Sequence, residues 1–292
     1  MASAVPFGVM GLSGDPALRY ADTMMSNAAS PATLVDLQRY PLLDRAAPAM
    51  QEVLRWARAQ LAATGACEVP NFLTPAGLAA VIADARTLAP QAYRSTGVGS
   101  AYLEVPDFDL PTDHPRRILG EYAVGVIAYD TFPPQSPLRR LYEWEPMMEF
   151  IGAVLQRGKL YRYADPLGAL NLAVMGDGDQ LQWHFDQTDF VVSLAIQDAA
   201  DGGDFEVAPR IRSADDEHYP AVRDVLRDTS DAVVRLPMTP GTLLIFEGRY
   251  SLHRVSPIRG HTDRLVGLLA YDTKPGTIST EILRLSRYGR VS

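Results

Sequence analysis

Hydrophobic positions along this chain change their period near residue 158. Before that point they recur at helical spacing. Met50, Val53, Leu54, Ala57 and Leu61 fall on one face, and Gly65 supplies the stop. Ala66 to Val69 reads as a short strand. Thr74 and Pro75 then provide an N-cap and a proline at the first helical position. Leu78, Ile82, Ala85 and Leu88 carry that helix to Pro90. Residues 137–157 predict further helix, with Leu138, Leu141, Phe150, Ile151 and Val154 as core positions and Pro146 as an interruption. Between these helices, residues 91–120 carry Gly97, Gly99, Pro106, Pro111 and Pro115. They read as a long loop of the kind that covers an active site.

From 159 onward the texture is that of strands, predicted at 159–163, 169–175, 180–186, 189–197, 203–208, 232–236, 242–247, 251–255 and 263–271. Gly176-Asp177-Gly178 and Gly202-Gly203 read as turns. One helix interrupts the strands: Ser213 and Asp216 have capping-box spacing ahead of the apolar Val222, Val225 and Leu226. Many strands at short spacing favour a mainly β domain with flanking helices, its core a double-stranded β-helix, or jelly roll. Residues 1–43, rich in Ala, Ser, Pro and Gly and without a period, read as an extended or partly disordered N-terminal arm. Residues 44–292 then form one jelly-roll domain, its helices mainly in 48–157 and its core strands mainly in 159–271.

Composition narrows the function. With 47% hydrophobic residues the chain can build an ample core without disulfide staples. Its formal charge of −8 speaks against nonspecific nucleic-acid binding, which needs a basic surface, and still allows a local basic pocket for a small anion. The single cysteine, Cys67, forbids an intramolecular disulfide, fits a reducing compartment, and reads as a small buried hydrophobe. No Lys or Arg precedes Arg19, as a signal peptide would require, and no apolar run has membrane-spanning length. The expectation is a soluble cytoplasmic protein whose partners are small molecules, not nucleic acid or membrane.

The chemistry concentrates in Leu181-Gln182-Trp183-His184-Phe185-Asp186. Side chains alternate along a strand, so Gln182, His184 and Asp186 share one face. An imidazole and a carboxylate two residues apart then point into one volume, which suits a divalent ion such as iron(II). About half an occurrence of His-x-Asp/Glu is due by chance in this composition, so context decides. A second copy, His261-Thr262-Asp263, fails because Gly260 places it at a turn and no histidine follows it. The first copy passes. His253 lies 67 residues beyond Asp186 in the strand-like Ser251-Leu252-His253-Arg254-Val255. Eleven residues further, Arg264 opens the apolar strand Leu265 to Tyr271. A buried guanidinium there needs a paired anion or it costs several kcal/mol. The distal carboxylate of 2-oxoglutarate would supply that anion, in the bidentate geometry that arginine favours. His114 and His218 read as surface or loop residues.

These residues carry a family resemblance. The chain resembles the jelly-roll iron(II)/2-oxoglutarate oxygenases, and more narrowly the bacterial group of free-amino-acid hydroxylases and their radical-halogenase relatives. The matching text includes Leu160-Tyr161-Arg162-Tyr163-Ala164-Asp165-Pro166, Trp183-His184-Phe185-Asp186, Gly202-Gly203-Asp204-Phe205-Glu206 and Gly248-Arg249-Tyr250-Ser251-Leu252-His253-Arg254-Val255, then the Arg264 strand. It covers roughly residues 90–275. The resemblance implies iron(II) held by His184, Asp186 and His253, with 2-oxoglutarate and dioxygen as co-substrates. Succinate and carbon dioxide are released as a C–H bond is hydroxylated. Asn171 and Thr262 are further candidates for polar contacts to 2-oxoglutarate. In the halogenating relatives a Gly or Ala replaces the carboxylate ligand; here Asp186 fills that position, which favours hydroxylation over halogenation, with desaturation or cyclisation as minor variants of the same chemistry. A non-redox cupin-like metal enzyme, which has no reason to place Arg264 at this spacing, and a binding module without chemistry are the competing classes. The resemblance points to a free amino acid or small amine as substrate. For its carboxylate the sequence offers Arg94, Arg116 and Arg162, and for its ammonium Asp130, Glu143 and Asp189.

Overall fold

Proline sets where the helices begin. In a computed structural model, which describes residues 30–292, the helices are α1 (Pro31–Leu34), α2 (Pro48–Thr64), α3 (Pro75–Leu88), α4 (Pro137–Glu143), α5 (Glu145–Leu155), α6 (Tyr219–Leu226) and α7 (Glu281–Tyr288). All but α7 carry proline in their first two positions, where the missing N–H costs nothing. Thr74 caps α3 by accepting from the Gly77 amide at 3.0 Å. Gly65, at φ 72°, closes α2 in the left-handed region. Pro146, read as an interruption, divides 137–157 into two helices and starts the second.

The strands are β1 (Ala66–Val69), β2 (Tyr93–Ser100), β3 (Leu119–Ile127), β4 (Tyr161–Arg162), β5 (Leu170–Met175), β6 (Leu181–His184), β7 (Val191–Gln197), β8 (Asp201–Gly202), β9 (Phe205–Ala208), β10 (Val234–Leu236), β11 (Leu243–Phe246), β12 (Leu252–Val255), β13 (Ile258–Arg259), β14 (Arg264–Leu269) and β15 (Tyr271–Asp272). A seven-stranded antiparallel sheet runs β1-β11-β7-β14-β5-β3-β2, and a four-stranded sheet runs β10-β9-β12-β6. Alternation gives the large sheet two buried faces. Leu172, Val174, Leu194, Ile196, Leu243, Ile245 and Leu265 point outward into one core shared with α2 to α5. Met175, Ala195, Leu244 and Phe246 point inward and meet Phe205, Val207 and Val255 of the small sheet. Packed face to face, the two sheets make the expected jelly roll. The outside of the small sheet is covered by Val222 and Val225 of α6, packed with Trp183, Phe185 and Leu252. No helix among the described residues is long and apolar enough to cross a membrane.

Three expectations shift. The loop expected over 91–120 contains β2 and the start of β3, at one edge of the large sheet. Gly97 and Gly99 read as loop residues, yet they are glycine for space. A Cβ at 97 would lie 2.9 Å from the Tyr122 hydroxyl, and one at 99 would lie 2.9 Å from Gln182 Nε2. The arm expected over 1–43 lies outside the described residues as far as 29, but its last part is core. Leu34, Val35, Tyr40 and Leu42 are buried, Val35 bridges Leu73, and the Tyr40 hydroxyl donates to the Pro70 carbonyl at 2.6 Å. Short irregular segments bury side chains without any period for a sequence to display. Helix α7, beyond the last expected strand, is the third. Cys67 is fully buried as read, and burial pushes its thiol up to about 12.

Because Tyr40 packs on Phe72 (ring centroids 5.9 Å apart) within the shared core, Tyr40→Ala should cost about 3 kcal/mol of folding stability. Urea denaturation measures it. A change within the ~0.5 kcal/mol typical of surface sites would return residues 31–43 to the status of an arm.

Candidate metal centre

Strands β6 and β12 are antiparallel neighbours, and their register sets His184 directly opposite His253. The ring centroids lie 4.3 Å apart. Each ring is aimed by its own strand. His184 Nδ1 is 2.7 Å from the Gln182 carbonyl, and His253 Nδ1 is 2.8 Å from the Ser251 carbonyl. A carbonyl only accepts, so each Nδ1 carries the proton and each Nε2 keeps its lone pair. Phe246 and Phe205 flank the His253 ring, with centroids 5.0 and 5.6 Å away. Burial, followed by the neighbouring His253, pushes His184 down to about 4, so its ring is neutral at pH 7 and able to ligate.

Asp186 completes the group from just beyond the end of β6. Its amide donates to the Gly248 carbonyl at 3.0 Å, which fixes the backbone. Its Oδ2 lies 3.4 Å from His253 Nε2, yet it is buried and has no hydrogen-bond partner. One ligand atom from each of His184, Asp186 and His253 lies within 4.8 Å of the others. Two imidazole lone pairs and an orphaned buried carboxylate oxygen converging on one point fit a divalent metal of borderline softness. Gly248 makes room for the carboxylate: a Cβ there would sit 1.9 Å from Asp186 Oδ2.

Arg264 opens β14 opposite Met175, so its side chain enters the same interior. It is buried and forms no hydrogen bond or salt bridge with any described residue. Burial pushes it down to about 10, partly offset by Asp198 and Asp204. It therefore remains a cation at neutral pH, waiting for an anion. Gly203, at φ +71°, lets it pass; a Cβ there would lie 3.0 Å from Arg264 Cδ.

The other sequence candidates separate. Asn171 faces the interior, but its amide donates to the Leu167 and Leu170 carbonyls at 2.9 and 2.8 Å, and its oxygen accepts from the Tyr288 hydroxyl at 2.8 Å. The chain itself uses its bonding capacity, so its place is in packing. Thr262 is exposed in the loop ahead of β14, beside the exposed His261 and Asp263 of the rejected second copy. All six substrate-anchor candidates already have partners. Arg94 pairs with Asp179, and its position opposite Gly125 puts it on the outer face of the large sheet. Arg116 pairs with Glu104 and holds the Tyr219 hydroxyl; Arg162 pairs with Glu145 and the Glu143 carbonyl. Asp130 holds Arg290, Glu143 holds Arg139, and Asp189 holds Arg249. Sequence reading missed Gln182 as a wall of the site. On the same face as His184, its Nε2 donates to the Ser100 carbonyl at 3.3 Å, while its Oε1 is buried without a partner. The alternation along β6 was the signal that could have found it. A surface groove of about 840 Å³ between α2 and α5 shares no residue with the cluster.

A jelly roll carrying this cluster, with a buried unpaired arginine facing the same interior, defines a class: the iron(II)- and 2-oxoglutarate-dependent oxygenases. Within it the chain belongs to the Halogenase D family, whose model matches residues 50–281. A search of curated proteins finds no match. Among solved structures, AviO1 from Streptomyces viridochromogenes is similar at 17% identity, covering 77% of this chain and 96% of its own, with a TM-score of 0.52. The alpha-ketoglutarate-dependent carbocyclase SnoK from nogalamycin biosynthesis matches at 16% identity over 81% of this chain and 91% of its own, TM-score 0.51. The epimerase SnoN from the same biosynthesis matches at 14% identity over 76% and 81%, TM-score 0.51. At these identities the likeness is one of fold.

Gly248→Ala should drive the Asp186 carboxylate out of the cluster while leaving the fold intact. Iron(II) affinity, measured by equilibrium titration, should fall at least about ten-fold, the scale seen when groups that orient metal ligands are lost. Wild-type affinity in a folded variant would show that Asp186 is not held against Gly248.

Proposed function

We propose that this protein hydroxylates an unactivated C–H bond of a free amino acid or small amine. One dioxygen and one 2-oxoglutarate would be consumed, giving one hydroxylated product, one succinate and one carbon dioxide. The observation that carries the proposal is the pair of unsatisfied interior groups, Asp186 Oδ2 and the Arg264 guanidinium, one needing a cation and the other an anion.

Each residue then has a task. His184, Asp186 and His253 hold iron(II) on one side and leave the opposite side open to exogenous ligands. Bound iron supplies the redox chemistry by which dioxygen oxidises both 2-oxoglutarate and the substrate C–H bond. Arg264 receives the distal carboxylate of 2-oxoglutarate, a charge-assisted contact in a site that excludes water. The Gln182 and Ser251 carbonyls hold the two imidazoles in the ligating tautomer, so no proton has to leave either ring when the metal enters. Phe205 and Phe246 keep solvent from the His253 side.

The family description supports a second reading, halogenation. Asp186 argues against it, because its carboxylate stands in the cluster where a halide would need a vacancy.

Arg264→Ala should raise the 2-oxoglutarate requirement at least about ten-fold, since a charge-assisted bidentate pair is worth more than about 1.4 kcal/mol. An unchanged requirement would move the role to another cation. Mass spectrometry of the wild-type product, formed in buffer with and without excess chloride, should show the gain of one oxygen atom in both. A chlorinated wild-type product would remove Asp186 from the ligand set and favour halogenation.

A further inference from the structure

Asp186 lies past the last ladder contact of its strand. Strand β12 pairs with β6 as far as His253 opposite His184. Beyond that point the chain is held by single backbone bonds. The Phe185 amide donates to the Ala101 carbonyl at 2.8 Å, and the Asp186 amide to the Gly248 carbonyl at 3.0 Å. The turn at 247–251, between β11 and β12, supplies the support on the other side. Its Gly248 carbonyl receives Asp186, and its Ser251 carbonyl aims the His253 ring. Where the ligands meet therefore depends on how the strand end and the turn are held against each other.

Arg212 touches both. Its guanidinium carbon lies 3.9 Å from the centre of the ring of Phe185, the residue between His184 and Asp186. Alternation turns that ring away from the ligands and into the apolar cluster with Val222 and Val225 of α6. From the same place Arg212 Nε donates to the Arg249 carbonyl at 2.8 Å, and Nη1 donates to Glu217 at 3.0 Å. The Arg212 amide reaches the Tyr250 carbonyl at 3.4 Å. The side chain is only 13% exposed. An aliphatic side chain would cover Phe185 too, and would cost less to bury. A planar guanidinium can do more: it attracts a ring through its face while donating hydrogen bonds from its edge.

We propose that Arg212 is a positioning residue for the metal centre. It ties the strand end that carries His184 and Asp186 to the turn that supports Asp186 and His253. It acts through the Phe185 ring and the Arg249 carbonyl, and the proposal rests on the metal reading of the cluster.

Cobalt(II) is the probe, because its visible absorption responds to the number and arrangement of its ligands. It is titrated into the full-length protein in the presence of 2-oxoglutarate. The wild type should give bands that His253→Ala abolishes. Arg212→Lys keeps the charge and loses the planar face. With its fold checked by urea denaturation, it should bind cobalt(II) at least about ten-fold more weakly, with altered bands. Phe185→Leu should give the same change, and the double variant should lose less than the sum of the two, since both remove one contact. Tyr40→Ala, which loosens the other core, should keep the wild-type affinity and bands. Wild-type affinity and bands in a folded Arg212→Lys overturn the proposal. So does an equal loss in Tyr40→Ala, or additive losses in the double variant. If Arg212→Lys does not fold, Phe185→Leu decides, and wild-type bands there overturn it. A wild type without cobalt bands that depend on His253 removes the metal reading itself, and the role of Arg212 with it.

Discussion

Two interior groups have no partner among the described residues, and the rest of the structure is arranged around them. Asp186 Oδ2 is buried without a hydrogen bond, and Arg264 is buried without an anion. In a medium of low dielectric each costs several kcal/mol unless something binds. Folding tolerates the cost because the surrounding core is large. The same cost is the drive for binding, since a metal cation and a dicarboxylate remove it. Both are held in place by the backbone that carries them. Asp186 is fixed by the Gly248 carbonyl, and Arg264 is fixed by β strands paired on both sides.

The jelly roll solves a geometric problem for this chemistry. Three ligand atoms must meet at one point, yet His184 and His253 lie far apart in sequence. Pairing β6 with β12 makes them direct neighbours, and the carbonyl two residues before each histidine sets its ring. The large sheet takes its rigidity from helices packed on the opposite face, so the site side can stay open. Glycine serves the same end at chosen places. Gly248 clears the carboxylate, Gly203 clears the guanidinium, and Gly97 and Gly99 let Tyr122 and Gln182 lie flat across the edge strands.

A family described by halogenation and a chain that keeps its carboxylate are compatible in these terms. In this chain Asp186 stands in the cluster with the two histidines. The solved structures of similar fold include a carbocyclase and an epimerase, so one fold carries more than one activity.

The helices at 48–64 and 75–88, the strands from 159 on, and the grouping of His184, Asp186 and His253 were legible in the sequence because each depends on local rules. Periodicity marks a buried face, proline and glycine mark ends, and alternation puts His184 and Asp186 on one side of a strand. Three things were not legible. Val35 and Tyr40 pack into the core from a segment with no period. Gly97 and Gly99 looked like loop residues because their reason lies across the sheet, in Tyr122 and Gln182. The free or committed state of each charged side chain depends on partners up to 160 residues away, as for Arg290 and Asp130. Sequence alone determined which residues could do the chemistry. The tertiary structure decided which charges remain unpaired to bind a ligand, because pairing is set by long-range proximity and proximity is fixed only when the chain has folded.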